Sequence, residues 1–513
     1  MKTSPLFRPP RWLPFLILLL ILGAALRLVN LTAPPLDFQP TRQLRNFIVS
    51  RSVYYNLLPN ADPQRRALAD SFYRTVGQYE PPVIETIVGF TFLLTGGESF
   101  AVPRIYGTIL WLLAGIALFD LARRISSPTA ALISLTYFLV LPFAVQASRS
   151  FQPDPLMTSA FVIGFYFMYR WMDDLTSGNS PQRTVDFPER KETHGWKWAI
   201  LAALFLGFAV LVKIVIVFLV IGAAAAAVLV THGLRFWRSA QVWTMAVLMM
   251  IPAFGYYVLG HPGRSTEYFF SWTVTLIKLI TSPRFYADWL GFVGGLLGLT
   301  ILFLSIAGTL LAAPRVRWML VGLWLGYLLY GLILPFQMFT HSYYHIQLVP
   351  VVALGLAPII ETAAVQASGL RRGWKAALAA MLIVFIGYQS WAARSVLAAE
   401  DFSQIPAIWK SIGDAIPSNA NIIGLTQDYG YDLMYWGWRK VELWPLSTDL
   451  SQVKNPDKNS AANFADLTTG SDYFLVTAFG QLNKQPELIK ILNGYVVAAQ
   501  GDGYILYDLR QTK

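Results

Sequence analysis

The stretch Ala33–Gln43, APPLDFQPTRQ, follows the first long apolar run of the chain and carries an acid, Asp37. A carboxylate this close to the end of a hydrophobic run is costly at a membrane interface unless it has partners or a task. The run before it, Leu13–Leu31, has the length that crosses roughly 30 Å of hydrocarbon as a helix. Whether Asp37 sits at such an interface depends on the rest of the chain.

Of 513 residues, 55% are apolar and 13% charged, and the mean hydropathy is +0.47. That is too oily for a soluble protein of this size. The apolar runs of about 18 to 22 residues must be helical, because lipid offers no water to an open strand. The net charge of +11 comes from Lys and Arg in short loops and in the first half of the first long loop. That pattern reads as membrane topology and phosphate contact, not nucleic-acid binding. With no cysteine, disulfides, iron–sulfur clusters and thiol nucleophiles are excluded. Lys2, Arg8 and Arg11 precede the first run as in a signal peptide, but no small-residue cleavage site follows, so a retained span is expected.

Counting charges along the chain gives about eleven spans with the N-terminus inside and the C-terminal tail outside. They are expected at 13–31, 102–121, 129–145, 155–172, 198–212, 214–230, 242–259, 290–311, 319–335, 348–365 and 376–391. Basic pairs such as Arg123–Arg124, Arg235 with Arg238, and Arg371–Arg372 then fall on the inner face. The expected fold class is an α-helical polytopic membrane protein with a small C-terminal soluble α/β domain. Its expected parts are a membrane domain at 1–397, with a long first outer loop at 32–101, and a soluble domain at 398–513. In that tail, helices are expected at 405–416 and 485–492, strands at 421–425 and 473–478, and a hairpin from 495–499 and 504–509 across Gly501-Asp502-Gly503. In the first outer loop, Leu44, Phe47, Ile48 and Tyr55 recur at helical spacing with Arg42, Arg45 and Arg51 between them. That is a helix over 41–55 suited to lying in the interface. A second, short apolar helix at 83–94 is expected to stay juxtamembrane.

Three acids fall on the outer face by this count: Asp37, Glu80 before Pro81-Pro82, and Asp154 between two prolines. Arg149, Lys213, His341 and His345 join them, and polar groups gathered at one end of a bundle commonly mark a pathway or site. Each has a plainer reading. Asp37 and Glu80 would serve as helix caps, Asp154 as a cap neutralised by Arg149, and Lys213 as a snorkelling span end. The two histidines, at i and i+4, would share a helix face and bind a metal.

The order of these features resembles the GT-C superfamily of polyprenyl-phosphate-sugar-dependent glycosyltransferases. It is similar in kind to bacterial relatives of the protein O-mannosyltransferases and the lipid A aminoarabinose transferase. The resemblance lies in Asp37 after the first span, the Glu80-Pro81-Pro82 helix, the Ala101–Arg104 entry to the second span, RSFQPDPLM around Asp154, LVK ending at Lys213, and HSYYHIQLVP before the tenth span. Many members carry an Asp-Glu pair in the first loop, whereas Asp37 is followed by Phe38.

The resemblance implies an inverting transfer of a sugar from a polyprenyl-phosphate donor to a lipid, glycan or protein acceptor on the outer face of a bacterial inner membrane. Asp37 would be the general base, Asp154 would orient sugar or acceptor, and Lys213, Arg149, Arg42 and His341 would bind the phosphate. Glu80 would orient substrate or hold a divalent metal ion with His261 or His341, an ion that some relatives use and others do not. A lipid-linked sugar flippase and a ligase transferring whole oligosaccharides are the alternatives. Against the flippase, the two halves of the sequence show no internal repeat.

Overall fold

The computed structural model describes residues 10–77, 79–177, 195–260, 270–274, 276–447, 449, 452 and 460–513. The chain forms two compact units. One holds Met1–Leu31, Gln78–Ile84 and Ala101–Ala399; the other holds Thr32–Gly77, Glu85–Phe100 and Glu400–Lys513. The sequence reading grouped residues 32–101 with the membrane domain, whereas most of that loop packs in one unit with the tail. Its partners there are distant in sequence, so local periodicity carries no sign of them.

The first unit is helical. Its elements include α1 (Leu13–Arg27), and α2 (Pro40–Leu57), α3 (Pro63–Val76) and most of α4 (Val83–Thr95) belong to the second. The first unit continues with α5 (Ala101–Ile125), α6 (Pro128–Val140), α7 (Pro142–Arg149), α8 (Pro153–Ser177), α9 (Trp196–Val212), α10 (Val217–His232) and α11 (Ala240–Phe254). Helices at Pro283–Leu297, Leu299–Leu311, Pro314–Ile333, Leu348–Ser368 and Arg372–Leu397 complete it. Each expected span falls on a helix or a bent pair of helices. By length and composition, six helices among the described residues are able to cross a membrane, or up to eight if each bent pair is one span, and α1, α4 and α9 are shorter apolar helices. Two spans differ from expectation in shape. The third bends by 61° where Pro142 opens α7, and the eighth bends by 94° between Leu297 and Leu299. There Gly298 takes φ +85°, a conformation that a side chain resists. Large apolar side chains such as Leu18, Ile21, Met381, Ile383 and Val384 point outward, as lipid-facing residues do.

Inside the bundle, helices approach through glycine. A Cβ on Gly222 of α10 would lie 2.1 Å from the carbonyl of Gly322 on the Pro314–Ile333 helix, and one on Gly322 would lie 2.3 Å from the carbonyl of Gly222. In lipid, such backbone approach is a main source of helix association. Replacing Gly322 with Val is expected to force the pair apart and cost about 1–3 kcal/mol or more. A lowered melting temperature of the detergent-purified variant would report it, and an unchanged one would refute the close packing.

The second unit is an α/β assembly. Its five-stranded sheet runs in the order β2 (Glu442–Leu443), β1 (Ile422–Leu425), β3 (Tyr473–Val476), β5 (Tyr504–Thr512), β4 (Tyr495–Gly501). β1 is parallel to β2 and β3, and β5 is antiparallel to β3 and β4. Both faces are covered, as parallel strands require. Ile423, Leu425, Phe474 and Val476 pack with Trp444, Phe464 and Leu488 on one face. Their alternates Ile422, Tyr473 and Leu475 pack with Trp409, Ile412 and Leu433 on the other. All the expected tail elements are present; the two-residue β2 and the short helices Tyr431–Trp436, Phe464–Thr468 and Phe479–Leu482 were not foreseen.

The helix expected to lie in the membrane interface is instead α2, buried on nearly every side, Arg45 and Arg51 included. Arg45 faces Glu85 at 3.8 Å and donates to the Gly77 carbonyl at 2.8 Å. Arg51 makes a two-pronged bond to Glu98 at 2.8 and 2.9 Å. Its guanidinium also lies 3.9 Å from the ring centre of Tyr435 and 4.4 Å from that of Trp438. Buried charge is tolerated there because each arginine is met by a carboxylate.

Candidate functional site

Asp154 lies between Pro153 and Pro155 in the first turn of α8, a position where a carboxylate suits the helix N-terminus. Lys213 ends α9, where the chain leaves the helix in an extended conformation before the turn Ile214–Ile216. The two meet: Lys213 Nζ is 2.7 and 2.9 Å from the oxygens of Asp154, and both side chains are almost wholly buried, at 3% and 4% exposure. The lysine lies 4.8 Å from the ring centre of Tyr343 and 5.0 Å from that of Tyr344, and Tyr330 stacks on Tyr344. Lys213 is therefore no snorkelling span end, and Asp154 pairs with it rather than with Arg149. The ammonium is met by a carboxylate and two aromatic faces, groups that attract a cation.

Arg149 ends α7 and is buried. It donates to the carbonyls of Val29 and, at 3.2 Å, Asn30. Arg104 donates to Asn30 and Leu31 at 3.1 and 2.9 Å. Arg27, the last residue of α1, donates to Ser148 Oγ, Gly23 and Leu139. Three arginines thus satisfy carbonyls around the end of the first span, where helix geometry leaves acceptors without partners. The phosphate-binding role expected of Arg149 competes with this anchoring. Arg27 and Arg104 were missed, although a charge inside an apolar run is itself a signal.

Glu80 is partly buried before the Pro81-Pro82 turn and is electrostatically coupled to Tyr257. Tyr257 donates its hydroxyl to the Leu211 carbonyl at 3.1 Å, two residues before Lys213. His341 and His345 do not share a helix face, because Ser342–His345 is a 3-10 turn. His345 is fully buried and has both ring nitrogens engaged, at 2.8 Å by Tyr327 Oη and at 3.0 Å by the Met338 carbonyl. His341 Nδ1 is 2.7 Å from Thr340 Oγ1. His261 lies outside the described residues. Among the described residues no three His, Cys, Asp or Glu side chains converge as metal ligands, so the expected metal set of Glu80, His341 and His261 is not assembled by those that are described.

Asp37 and Arg42 belong to the second unit, while Glu80, Arg149, Asp154, Lys213 and His341 belong to the first. Asp37 is partly buried, and Gln43 Nε2 approaches its Oδ1 at 3.4 Å while donating to the Phe38 carbonyl at 2.7 Å. It does not cap α2, whose N-cap is Gln39. Arg42 sits, partly buried, on the first turn of α2. The same unit contains two acids that sequence reasoning passed over, Asp428 and Asp432. Burial, and then the charge of Asp428, pushes the Asp432 carboxyl well above the usual range, and its Oδ2 has no hydrogen-bond partner. A carboxyl whose folded value is raised binds its proton more tightly folded than unfolded, so stability falls as pH rises from the unfolded value of about 4 through the folded one. Asp432→Asn is expected to raise the melting temperature more at pH 8 than at pH 4.5, followed by tryptophan fluorescence of the purified protein. An equal effect at both pH values would contradict the shift.

A helical body of this kind with an α/β tail is found in solved structures of low sequence identity. ArnT from Cupriavidus metallidurans, crystallised bound to undecaprenyl phosphate, is 15% identical, with 96% of this chain and 97% of that one covered at a TM-score of 0.58. The archaeal oligosaccharyltransferase AglB from Archaeoglobus fulgidus, in complex with an inhibitory peptide and a dolichol-phosphate, is 14% identical over 94% of this chain and 72% of its own, TM-score 0.53. A further structure of the Archaeoglobus fulgidus enzyme is a complex with Zn and sulfate, at 14% identity, covering 96% and 73% of the two chains with a TM-score of 0.52. The family described as dolichyl-phosphate-mannose-protein mannosyltransferase matches residues 79–178, which include Glu80, Arg149 and Asp154. No curated protein matches.

Proposed function

We propose that this protein is an inverting membrane glycosyltransferase that moves a sugar from a polyprenyl-phosphate donor to a hydroxyl acceptor at the outer face of a bacterial inner membrane. The observation that carries this reading is the buried Asp154–Lys213 pair set against Tyr343 and Tyr344, within a fold shared with lipid-phosphate-binding structures. Asp37 takes the proton of the acceptor hydroxyl as its oxygen attacks the anomeric carbon. The bond from that carbon to the phosphate oxygen breaks, and polyprenyl phosphate leaves with the electron pair. Phosphate leaves readily without a strong acid but needs cations as its charge grows. Lys213 supplies one, and Asp154 keeps it aimed, in place of the sugar contact first expected of that acid. Arg42 and His341 are assigned to the donor headgroup and Glu80 to orienting substrate.

The test is to incubate purified protein with radiolabelled polyprenyl-phosphate sugars and a cell-envelope acceptor fraction. Label leaving the lipid for the acceptor is expected. Label that crosses vesicle membranes while still on its lipid would replace the transferase by a flippase.

A further inference from the structure

α2 starts without a cap of its own. Its N-cap Gln39 sits in the left-handed region at φ +51° and makes no side-chain capping bond. Pro40 has no N–H to satisfy. The next amides, of Arg42 and Gln43, both reach the Gln39 carbonyl, at 3.0 and 3.3 Å. The amide of Thr41 remains, and the carboxylate of Asp428, which accepts from Thr41 Oγ1, is the group placed beside it. A tail residue 387 positions away thus performs the task that Ser, Thr or Asp ordinarily performs at the N-cap itself. A negative charge is also the sign that a helix N-terminus favours.

The turn that presents Asp428 is strained. Asp428, Tyr429 and Gly430 are left-handed in succession, at φ +50°, +56° and +70°. Two of the three carry side chains, and such backbone persists only where its surroundings over-determine it. At Gly430 any Cβ would lie 2.3 Å from Val441 Cγ1, so glycine is required where the turn closes. From the capped turn the connection to Asp37 is short: Gln43, two residues past Thr41, donates to the Phe38 carbonyl at 2.7 Å and approaches Asp37 Oδ1 at 3.4 Å. About two turns further, Arg51 is clamped by Glu98 and by Tyr435 and Trp438 of the same unit.

We infer that Asp428 is a positioning residue for Asp37: by capping α2 through Thr41, the tail fixes the register of the loop that bears the base. The inference rests on the reading of Asp37 as base, and it gives the C-terminal unit a task in the reaction. A displaced base loses rate steeply, since an error near 1 Å can cost up to about 100-fold.

The experiment uses full-length protein in detergent or nanodiscs, with two readouts. Hydrogen exchange of peptides covering residues 39–46 reports the cap, and steady-state transfer reports its consequence. Asp428→Ala is expected to speed exchange in that segment and to lower kcat by about 10- to 100-fold with an unchanged KM for the donor. Asp428→Asn, which keeps an acceptor oxygen, is expected to recover most of both. Thr41→Val, which keeps the amide, should fall between, and joined to Asp428→Ala it should add nothing to that variant, because both act on one contact. Unchanged exchange in Asp428→Ala would overturn the cap. Faster exchange with wild-type kcat would overturn the positioning role. Asp37→Asn, measured beside them, separates this from the parent reading: full turnover there removes the base assignment, whatever the exchange data give.

Discussion

Asp37→Asn is expected to lower transfer by at least about 100-fold while leaving the fold and donor binding as they are. General-base assistance by a placed carboxylate contributes roughly 10²–10⁴, and attack by a hydroxyl on an anomeric carbon has no other proton acceptor assigned in the reading above. The substitution is nearly isosteric. It retains an oxygen for the approach of Gln43 Nε2, now 3.4 Å from Asp37 Oδ1, so the loop should hold its shape. The loss should therefore fall on kcat, with the donor KM within about twofold and an unchanged melting temperature, the signature of an interaction used in the transition state alone. Turnover near wild type would end the assignment of Asp37 as base. A rise in KM at constant kcat would make it a binding residue. Because Asp37 is followed by Phe38 and Gln39, no neighbouring carboxylate is present in sequence to mask the effect.

The spans were legible because each rule that sets them is local. Hydropathy fixes their length, and basic loops fix where they end, so the runs from Leu13 to Trp391 could be placed one after another. The tail was legible for a similar reason. Ile422–Leu425 and Tyr473–Val476 are short apolar runs bounded by turn residues, and Gly501-Asp502-Gly503 announces a hairpin. What escaped depends on partners far away. Arg45 and Arg51 look from the sequence like the wet face of an interfacial helix, and their burial makes sense once Glu85 and Glu98 are seen beside them. The 94° break at Gly298 hides inside a continuous apolar run, where hydropathy does not register a change of direction. His341 and His345 fit an i,i+4 pair on paper, but a 3-10 turn advances each residue by about 120° instead of 100° and turns one ring inward. Asp154 and Lys213 were both singled out, yet as separate groups with separate tasks. A pairing across 59 positions is a property of the packed bundle, which joins α8 to the end of α9.

That pairing allows the structural and chemical roles of Lys213 to be separated. Lys213→Ala alone leaves the Asp154 carboxylate buried without its ammonium, and breaking a buried pair from one side costs about 3–5 kcal/mol. A large drop in melting temperature is therefore expected, and with it a loss of transfer that by itself says little about phosphate. Asp154→Ala should behave alike, for the mirror reason. Replacing both groups with apolar side chains of similar volume, Asp154→Leu with Lys213→Met, removes the uncompensated charge, and such double replacements are often neutral or stabilising. The double variant should melt near the wild-type temperature. If Lys213 serves the donor phosphate, it should nevertheless bind polyprenyl phosphate at least about tenfold more weakly, the order expected for one lost charge-assisted contact, and transfer should not return. Restored stability together with restored donor affinity would reduce the pair to a structural pin between α8 and α9, and the phosphate would then have to be held by other cations such as Arg42.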